Sequence, residues 1–412
     1  MGNLFKIAIR NLMRYKRRTI LTASLVAIGM IFVLVFIAIT GSFKNMMIGG
    51  ITDSMLGHIQ IHKKGYVASI DNSPLTLNLK PQAVAKIEQI LQRMPDIKAY
   101  SPRIKFAGMF SNFTETTPIR LNGVYPEKEP KTVPLLLARI IEGEKRITKG
   151  EILIPELLAK GMKVKVGDSI VVIATNKDGS VNGKQLRVGG IMESATGPGG
   201  RDGYIHIEDA AEILRMDQME ISEIAMQLTD FGKLHTVENR LIHALSGQLN
   251  NQGKPIFEIH TWEKLSPFYH LSRMIDAMAF FVKLMLISIV LVSIMNVMVM
   301  AVYERIREIG TIAAIGTRPG KILSMFVIEG FSLAVFGALI GNGFGLAIIY
   351  ILRQVKITFS FAMHTGLVLM PSIRVSEILT VSLIVVIVAV LGSLQPAFKA
   401  SRMEPIKALR HV

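Results

Sequence analysis

The sequence predicts an α-helical membrane protein with four transmembrane helices and one large extracytoplasmic α+β domain. Three observations carry this. Half of the 412 residues are hydrophobic, and four runs, Ile20–Thr40, Leu284–Val302, Gly330–Leu352 and Ile378–Phe398, contain no charged side chain. Each can cross a bilayer, which takes roughly 20 apolar residues. Between the first two runs lies a block, 41–275, of alternating strand and helix patterns. The formal charge of +16 is also unevenly placed: 41–275 carry 29 Lys and Arg against 25 Asp and Glu, whereas the rest carries 18 against 6. Basic excess beside apolar runs points to topology and anionic headgroups, and a nucleic-acid partner is not expected.

In order, residues 1–18 form an amphipathic interfacial helix. Phe5, Ala8, Ile9 and Leu12 share one face, with Lys6, Arg10, Arg14 and Arg17 on another. Six basic residues and no acid precede the first run, which places this end in the cytoplasm. The first span is 19–40. It is too long for a signal-peptide core and no small-x-small cleavage site follows it, so it is read as retained.

Within 41–275, strands are predicted at Met55–His62, Ile97–Phe110, Pro118–Val124, Gly150–Pro155, Ile170–Ala174, Gln185–Met192, Gly203–Ile207, Ile221–Leu228 and Pro255–His260. Helices are predicted at Pro81–Arg93, Glu156–Lys160, Glu208–Met216 and Leu234–Leu245. The block opens and closes with strand–helix–strand, so the two ends are expected to pair into a split βαβ, ferredoxin-like unit. The β-rich insert, roughly 125–218, is expected as a second subdomain. Trp262–Asp276 reads as a helix leading into the second span, 276–303. The third span is 321–352, an outer loop occupies 353–377, the fourth span is 378–398, and a cytoplasmic basic tail fills 399–412.

Between the second and third spans, 304–320 form a short charged helix. Ile306, Ile309 and Ile312 recur among Glu304, Arg305, Arg307 and Glu308, and Gly316 with Pro319-Gly320 stops it. A connecting loop and a helix gripped by another protein both satisfy this pattern. Gly337, Gly341 and Gly345 recur at four-residue spacing in the third span and make a smooth face for helix packing. Asn296 and Asn342 are polar groups inside spans and are expected to face other helices. Glu329, two turns from Lys321, is either a functional intramembrane carboxylate or one half of a structural pair.

Catalytic chemistry is not evident. There is no cysteine, which removes disulfides, thiolate sites and cysteine nucleophiles. Gly316–Lys321 is one residue short of a phosphate loop and lacks its hydroxyl residue. His58 and His62 lie four apart on a predicted strand, too far to share a metal. The glycine-rich 196–203 precedes a strand, not a helix, and reads as a loop rather than a phosphate cradle. No nucleophile–base pair stands out.

Several segments resemble the FtsX-like permease family of ATP-binding-cassette systems, which includes the permeases of the lipoprotein-release complex and the macrolide exporter. They are Asn11–Thr19, Glu304–Gly310 with Ile315-Gly316, and Met403–Arg410; Gly150–Ala159 followed by Val166-Gly167-Asp168 is similar to the family's outer domain. By length and layout the lipoprotein-release subunits are the closer match. The resemblance implies a permease with two ATPase subunits and a second, identical or homologous, permease. Glu304, Arg305, Arg307, Glu308, Gly310 and Gly316 would form the ATPase-docking helix. ATP and Mg would bind in the partner, and this chain would hold no cofactor and no metal.

The implied function is transmission of cytoplasmic ATP hydrolysis to the outer domain. The expected work is extraction of lipoproteins or other amphiphiles from the outer leaflet of the cytoplasmic membrane, with a periplasmic carrier or lipoprotein cargo as further partner. Both termini would be cytoplasmic. The alternative is a non-transporting mechanotransmitter that regulates an extracytoplasmic hydrolase or sensor kinase.

Overall fold

The computed structural model describes residues 10, 16–194, 202–249, 252–356, 358–361 and 364–404. The predicted N-terminal amphipathic helix, the glycine-rich stretch from 196 to 201 and the tail from 405 onward lie outside the described residues, apart from Arg10, Lys16, Arg17 and the backbone of Arg18.

The chain order is α1 (Lys16–Ile51), β1 (Ile59–Lys63), α2 (Pro81–Gln92), β2 (Ile97–Ser111), β3 (Thr116–Val124), β4 (Ile140–Gly143), β5 (Glu151–Pro155), α3 (Glu156–Met162), β6 (Ser169–Thr175), β7 (Val181–Met192), β8 (Asp202–His206), α4 (Ile207–Ile213), β9 (Glu223–Leu228), α5 (Leu234–Leu245), β10 (Phe257–Thr261) and α6 (Trp262–Leu265). Then follow α7 (Phe268–Glu304), α8 (Ile306–Ala314), α9 (Pro319–Val355), β11 (Thr358–Phe361), β12 (His364–Val368) and α10 (Val375–Ser401). The chain divides into two compact units: residues 1–45, 273–358 and 368–412 in one, 46–272 and 359–367 in the other.

The first unit is helical. Among the described residues four helices are long and apolar enough to cross a membrane, and they are the helices labelled α1, α7, α9 and α10. Its core is apolar, built from Val26, Met30 and Leu34 of α1, Ile294 and Met298 of α7, Phe326 and Leu333 of α9, and Val385 and Ala389 of α10. The helices run past the predicted span limits. Nothing in Gly41–Ile51 breaks α1, and α9 continues to Val355, where Lys356 takes a left-handed turn (φ 50°). The predicted outer loop contains the two-stranded sheet β11–β12.

The second unit is one ten-stranded sheet, ordered β10-β1-β9-β2-β3-β8-β5-β7-β4, with β6 pairing both β2 and β7. The expected separate insert subdomain is corrected here, because its strands continue the same ladder. The reason is β2, which is long enough to serve two partners. Residues 97–103 pair with β9, and residues 103–111 pair with β3. At the other end β10, β1, β9 and β2 are each antiparallel to their neighbours. The amphipathic helices α2 and α5, inserting Ile87, Leu91, Leu241 and Leu245, connect these strands in pairs.

Two further expectations change. Met55–His62 is not all strand: Thr52–Leu56 is a π-helical turn, and β1 begins only after Gly57 (φ 73°). A side chain at Gly57 would put its Cβ 2.9 Å from the carbonyl oxygen of Met226, so only glycine fits. Nor does one helix run from Trp262 to Asp276. Ser266 is extended (φ −111°, ψ 128°) because Pro267 follows, and α7 starts beyond it.

Candidate coupling site

Helix α8 joins α7 to α9. Arg305 leaves helical geometry (φ −107°, ψ 14°), which separates α7 from α8. Ile309 and Gly310 are buried, and Ile309 packs into the apolar core that includes Ile322 and Phe326 of α9. The opposite face, with Glu304, Arg307, Glu308 and Thr311, is exposed. Ile312 is 38% exposed and Ile315 80%. A residue three along a helix lies about 60° back around it, so the Ile306-Ile309-Ile312-Ile315 series walks off the buried face. The three-residue spacing of Ile306, Ile309 and Ile312 marks a helix but not one buried stripe, and Ile312 and Ile315 reach the surface. Gly316 (φ 92°) ends the helix in the left-handed region, its N–H donating to the Ala313 carbonyl at 3.0 Å.

The structure corrects the placement of Arg305. Its side chain is only 3% exposed and lies inside the unit, with Nη1 3.1 Å from Oε2 of the fully buried Glu329 on α9. It anchors the start of α8 rather than facing outward with Arg307 and Glu308. Glu329 is accordingly held in an ion pair.

The other singled-out residues separate. A Cβ at Gly337 would come within 2.7 Å of Val26 Cβ, and one at Gly341 within 2.6 Å of Met30 Cβ; at Gly345 the nearest atom is Leu34 Cδ1, 3.1 Å away. All three therefore lie against α1. Asn342 Nδ2 donates to Ser382 Oγ of α10 at 3.0 Å. Asn296, expected to face another helix, instead lies on the exposed side of α7 and has no hydrogen-bond partner among the described residues. His62 is fully buried, stacked on Tyr66 with ring centroids 5.2 Å apart. His58 accepts the Leu228 N–H on Nδ1 at 3.0 Å, leaving Nε2 3.4 Å from Asp53.

In the second unit the chain enters β1 through Thr52–Gly57 and leaves β10 through α6. These two stems are tied together and to the sheet. The Trp262 N–H donates to the His58 carbonyl (3.1 Å), and the Leu135 N–H donates to the Asp53 carbonyl (2.8 Å). Beneath them Arg103, 1% exposed, donates from Nη1 to the Met55 carbonyl (2.7 Å) and pairs with Glu129 (2.7 Å) and Glu223 (2.9 Å). Arg103 is the residue at which β2 passes from β9 to β3, so its side chain ties a stem to the strand that both halves of the sheet share. Lys105 adds a 3.0 Å contact to Glu223, and His62 lies 3.6 Å from it. Burial would push the Glu223 carboxyl up, but Lys105, His62 and Arg103 outweigh it and hold the group well below the usual carboxylate range. No sequence pattern could have joined residues 103, 129 and 223. A cavity of about 320 Å³ lies against these stems, lined by Met55, Leu56, Leu265, Phe268, Lys105 and Arg120.

Four spanning helices, a short amphipathic helix between the second and third, and an α+β sheet domain after the first define the layout of a membrane transporter subunit. The MacB-like periplasmic core domain matches residues 19–244, more than half of the chain, and the FtsX-like permease C-terminal model matches residues 280–405. The chain belongs to this family of FtsX-like and MacB-like permeases of ABC transporters, and is a multi-pass inner-membrane protein.

The lipoprotein-releasing system transmembrane protein LolC of Neisseria meningitidis serogroup B is 20% identical over 418 residues, covering 95% of this chain and 94% of that protein. LolC of Xylella fastidiosa (strain 9a5c) is 22% identical over 314 residues, 71% of this chain and 73% of the relative. The macrolide export ATP-binding/permease protein MacB of Bdellovibrio bacteriovorus is 25% identical over 343 residues, 79% of this chain and 49% of MacB. Among solved structures, the periplasmic region of MacB from Actinobacillus actinomycetemcomitans aligns with a TM-score of 0.37 and 13% identity, over 52% of this chain and 94% of that one.

Proposed function

We propose that this permease subunit couples ATP hydrolysis in partner ATPases to movement of its sheet domain, and that the work done is extraction of lipoproteins or similar amphiphiles from the outer leaflet. Two ATPase subunits would hold ATP and Mg, and a second permease would complete the complex. In this reading both termini and α8 are cytoplasmic and the sheet domain is extracytoplasmic, where a carrier or acylated cargo meets it. The interleaved strands β10, β1, β9 and β2 with α2 and α5 are read as a split βαβ, ferredoxin-like unit. The LolC relatives support the lipoprotein assignment by their names alone.

The observation that carries the proposal is α8. It is anchored from within by Ile309 and Arg305, while Ile312, Ile315, Arg307 and Glu308 face out. An exposed apolar tip beside charges of both signs suits a protein partner better than water. Replacing Ile315→Asp, and separately Arg307→Glu together with Glu308→Lys, should abolish co-purification of the ATPase and its stimulated turnover without lowering the melting temperature of this chain. If ATPase retention and turnover survive both changes, α8 is not the docking helix. Cargo is tested by capture on the complete complex: acylated proteins support extraction, whereas a hydrolase or sensor kinase supports a regulator of those proteins.

A further inference from the structure

Charged and titratable side chains crowd one face of the β10-β1-β9-β2 strands. His62 of β1 lies opposite Glu258 of β10 on one side and Glu223 of β9 on the other, and Glu223 lies opposite Arg103 of β2. Residues opposite one another across a ladder share a face, and so do residues two apart along a strand, which adds His260 and Lys105.

His62 is the unsettled member. It is fully buried, and neither ring nitrogen makes a hydrogen bond among the described residues. Tyr66 is stacked on the ring, and the His260 ring centroid is 5.9 Å away. Glu258 is already engaged, because its Oε1 accepts the Val67 N–H at 2.9 Å and Lys64 lies 4.0 Å from Oε2. The His62 Nε2 stands 3.6 Å from Oε2 of Glu223, beyond hydrogen-bond length. Lys105 Nζ holds that same oxygen at 3.0 Å, while Arg103 takes Oε1 at 2.9 Å. One carboxylate oxygen therefore has two claimants, a lysine that is charged throughout the neutral range and an imidazole whose charge follows pH.

We propose that Glu223 Oε2 is an exchange point worked by a proton on His62. With His62 neutral, Lys105 holds the oxygen. A proton on His62 turns Nε2 into a charged donor, which closes on the oxygen in a charge-assisted hydrogen bond, because a buried imidazolium left unpaired is costly. Lys105 is the partner that gives way. Its side chain is 22% exposed, sits on a flexible stem and borders the cavity between the two chain stems, whereas the His62 ring has no exposure at all. The exchange moves the hold on β9 from β2 to β1, the strand that continues the entering stem, and releases a cation into the cavity. As a regulator it rests on the reading of the sheet domain as extracytoplasmic, where pH follows the surroundings.

NMR of the full chain in detergent, labelled with 13C at the histidine Cε1 positions, tests the exchange. The chain has nine histidines, few enough to follow each ring, and His62→Gln identifies the His62 signal by its loss. That signal should move between about pH 8 and about pH 5.5. Lys105→Met removes the competing cation and should carry the midpoint upward by about one pH unit or more, whereas Lys105→Arg should leave it in place. Lys64→Met takes an equal charge from the exposed side of Glu258 and should not shift it. A His62 signal that stays still over this range, a midpoint that Lys105→Met leaves unmoved or lowers, or an equal shift from Lys64→Met overturns the proposal. The measurement needs neither ATP nor the partner ATPase. The exchange seen in a chain that fails to retain its ATPase therefore supports this inference and defeats the coupling reading alone.

Discussion

At the scale of single residues, two buried charge groups define what this chain tolerates. Arg305 and Glu329 lie 3.1 Å apart with almost no exposure. Removing one member of a buried ion pair typically costs about 3–5 kcal/mol, whereas replacing both by apolar side chains costs far less. Arg305→Met and Glu329→Leu should each lower the melting temperature of the solubilised protein, and the double variant should recover most of the loss; additive losses would show that the pair is not the unit. In the sequence Arg305 was indistinguishable from Arg307, because the partner that turns it inward is 24 residues away on another helix. Glu223 gives a pH-dependent counterpart. Its carboxyl is depressed in the folded chain, so the stability it supplies is complete above the unfolded carboxylate value of about 4.3 and fades as pH falls below it. Melting temperature plotted against pH should therefore drop on acidification, and Glu223→Gln should start lower at neutral pH and fall less steeply in acid. An unchanged acid limb in that variant would remove Glu223 from the account.

Among the elements, the glycine ridge of α9 sets how close α1 can lie. A methyl at Gly341 would meet Met30 Cβ at 2.6 Å, whereas one at Gly343 has nothing within 4 Å. Overpacking of this kind typically costs about 1–3 kcal/mol. Gly341→Ala should thus lower the melting temperature while Gly343→Ala leaves it unchanged, and equal behaviour of the two would contradict the packing described. The four-residue spacing was visible in the sequence because a helix repeats its face at that interval; which helix it meets was not. Pro267 shows the converse. Its restriction on Ser266 is local, so the break within the expected Trp262–Asp276 helix is readable from the sequence.

Over the whole molecule, the order of spans and the placement of strand and helix along 41–275 were legible because each rests on local composition and period. The joining of the insert to the rest of the sheet was not, since it depends on pairing between residues far apart, such as Arg103 with both Val124 and Glu223. The shared strand predicts that the sheet loses protection as one cooperative body. Hydrogen exchange on the full chain should find the amides of β2, β3 and β9 opening together, at one common denaturant concentration. Two separated transitions, one for β1–β9–β10 and one for the strands beyond β3, would restore the two-subdomain picture.

The stems carry a mechanical consequence. β1 and β10 are neighbours paired in antiparallel register, Ile59 opposite Thr261, so the chain enters and leaves the sheet at the same end of one short ladder. Drawing the stems apart would load that ladder in peeling geometry, where bonds fail one after another, starting with the Trp262–His58 link. Displacing the stems in the same direction loads no single bond and carries the sheet along as a lever. The ladder is therefore weak to a splitting load and stiff to a shared one, and the coupling proposed above would have to move both stems together to keep the domain intact.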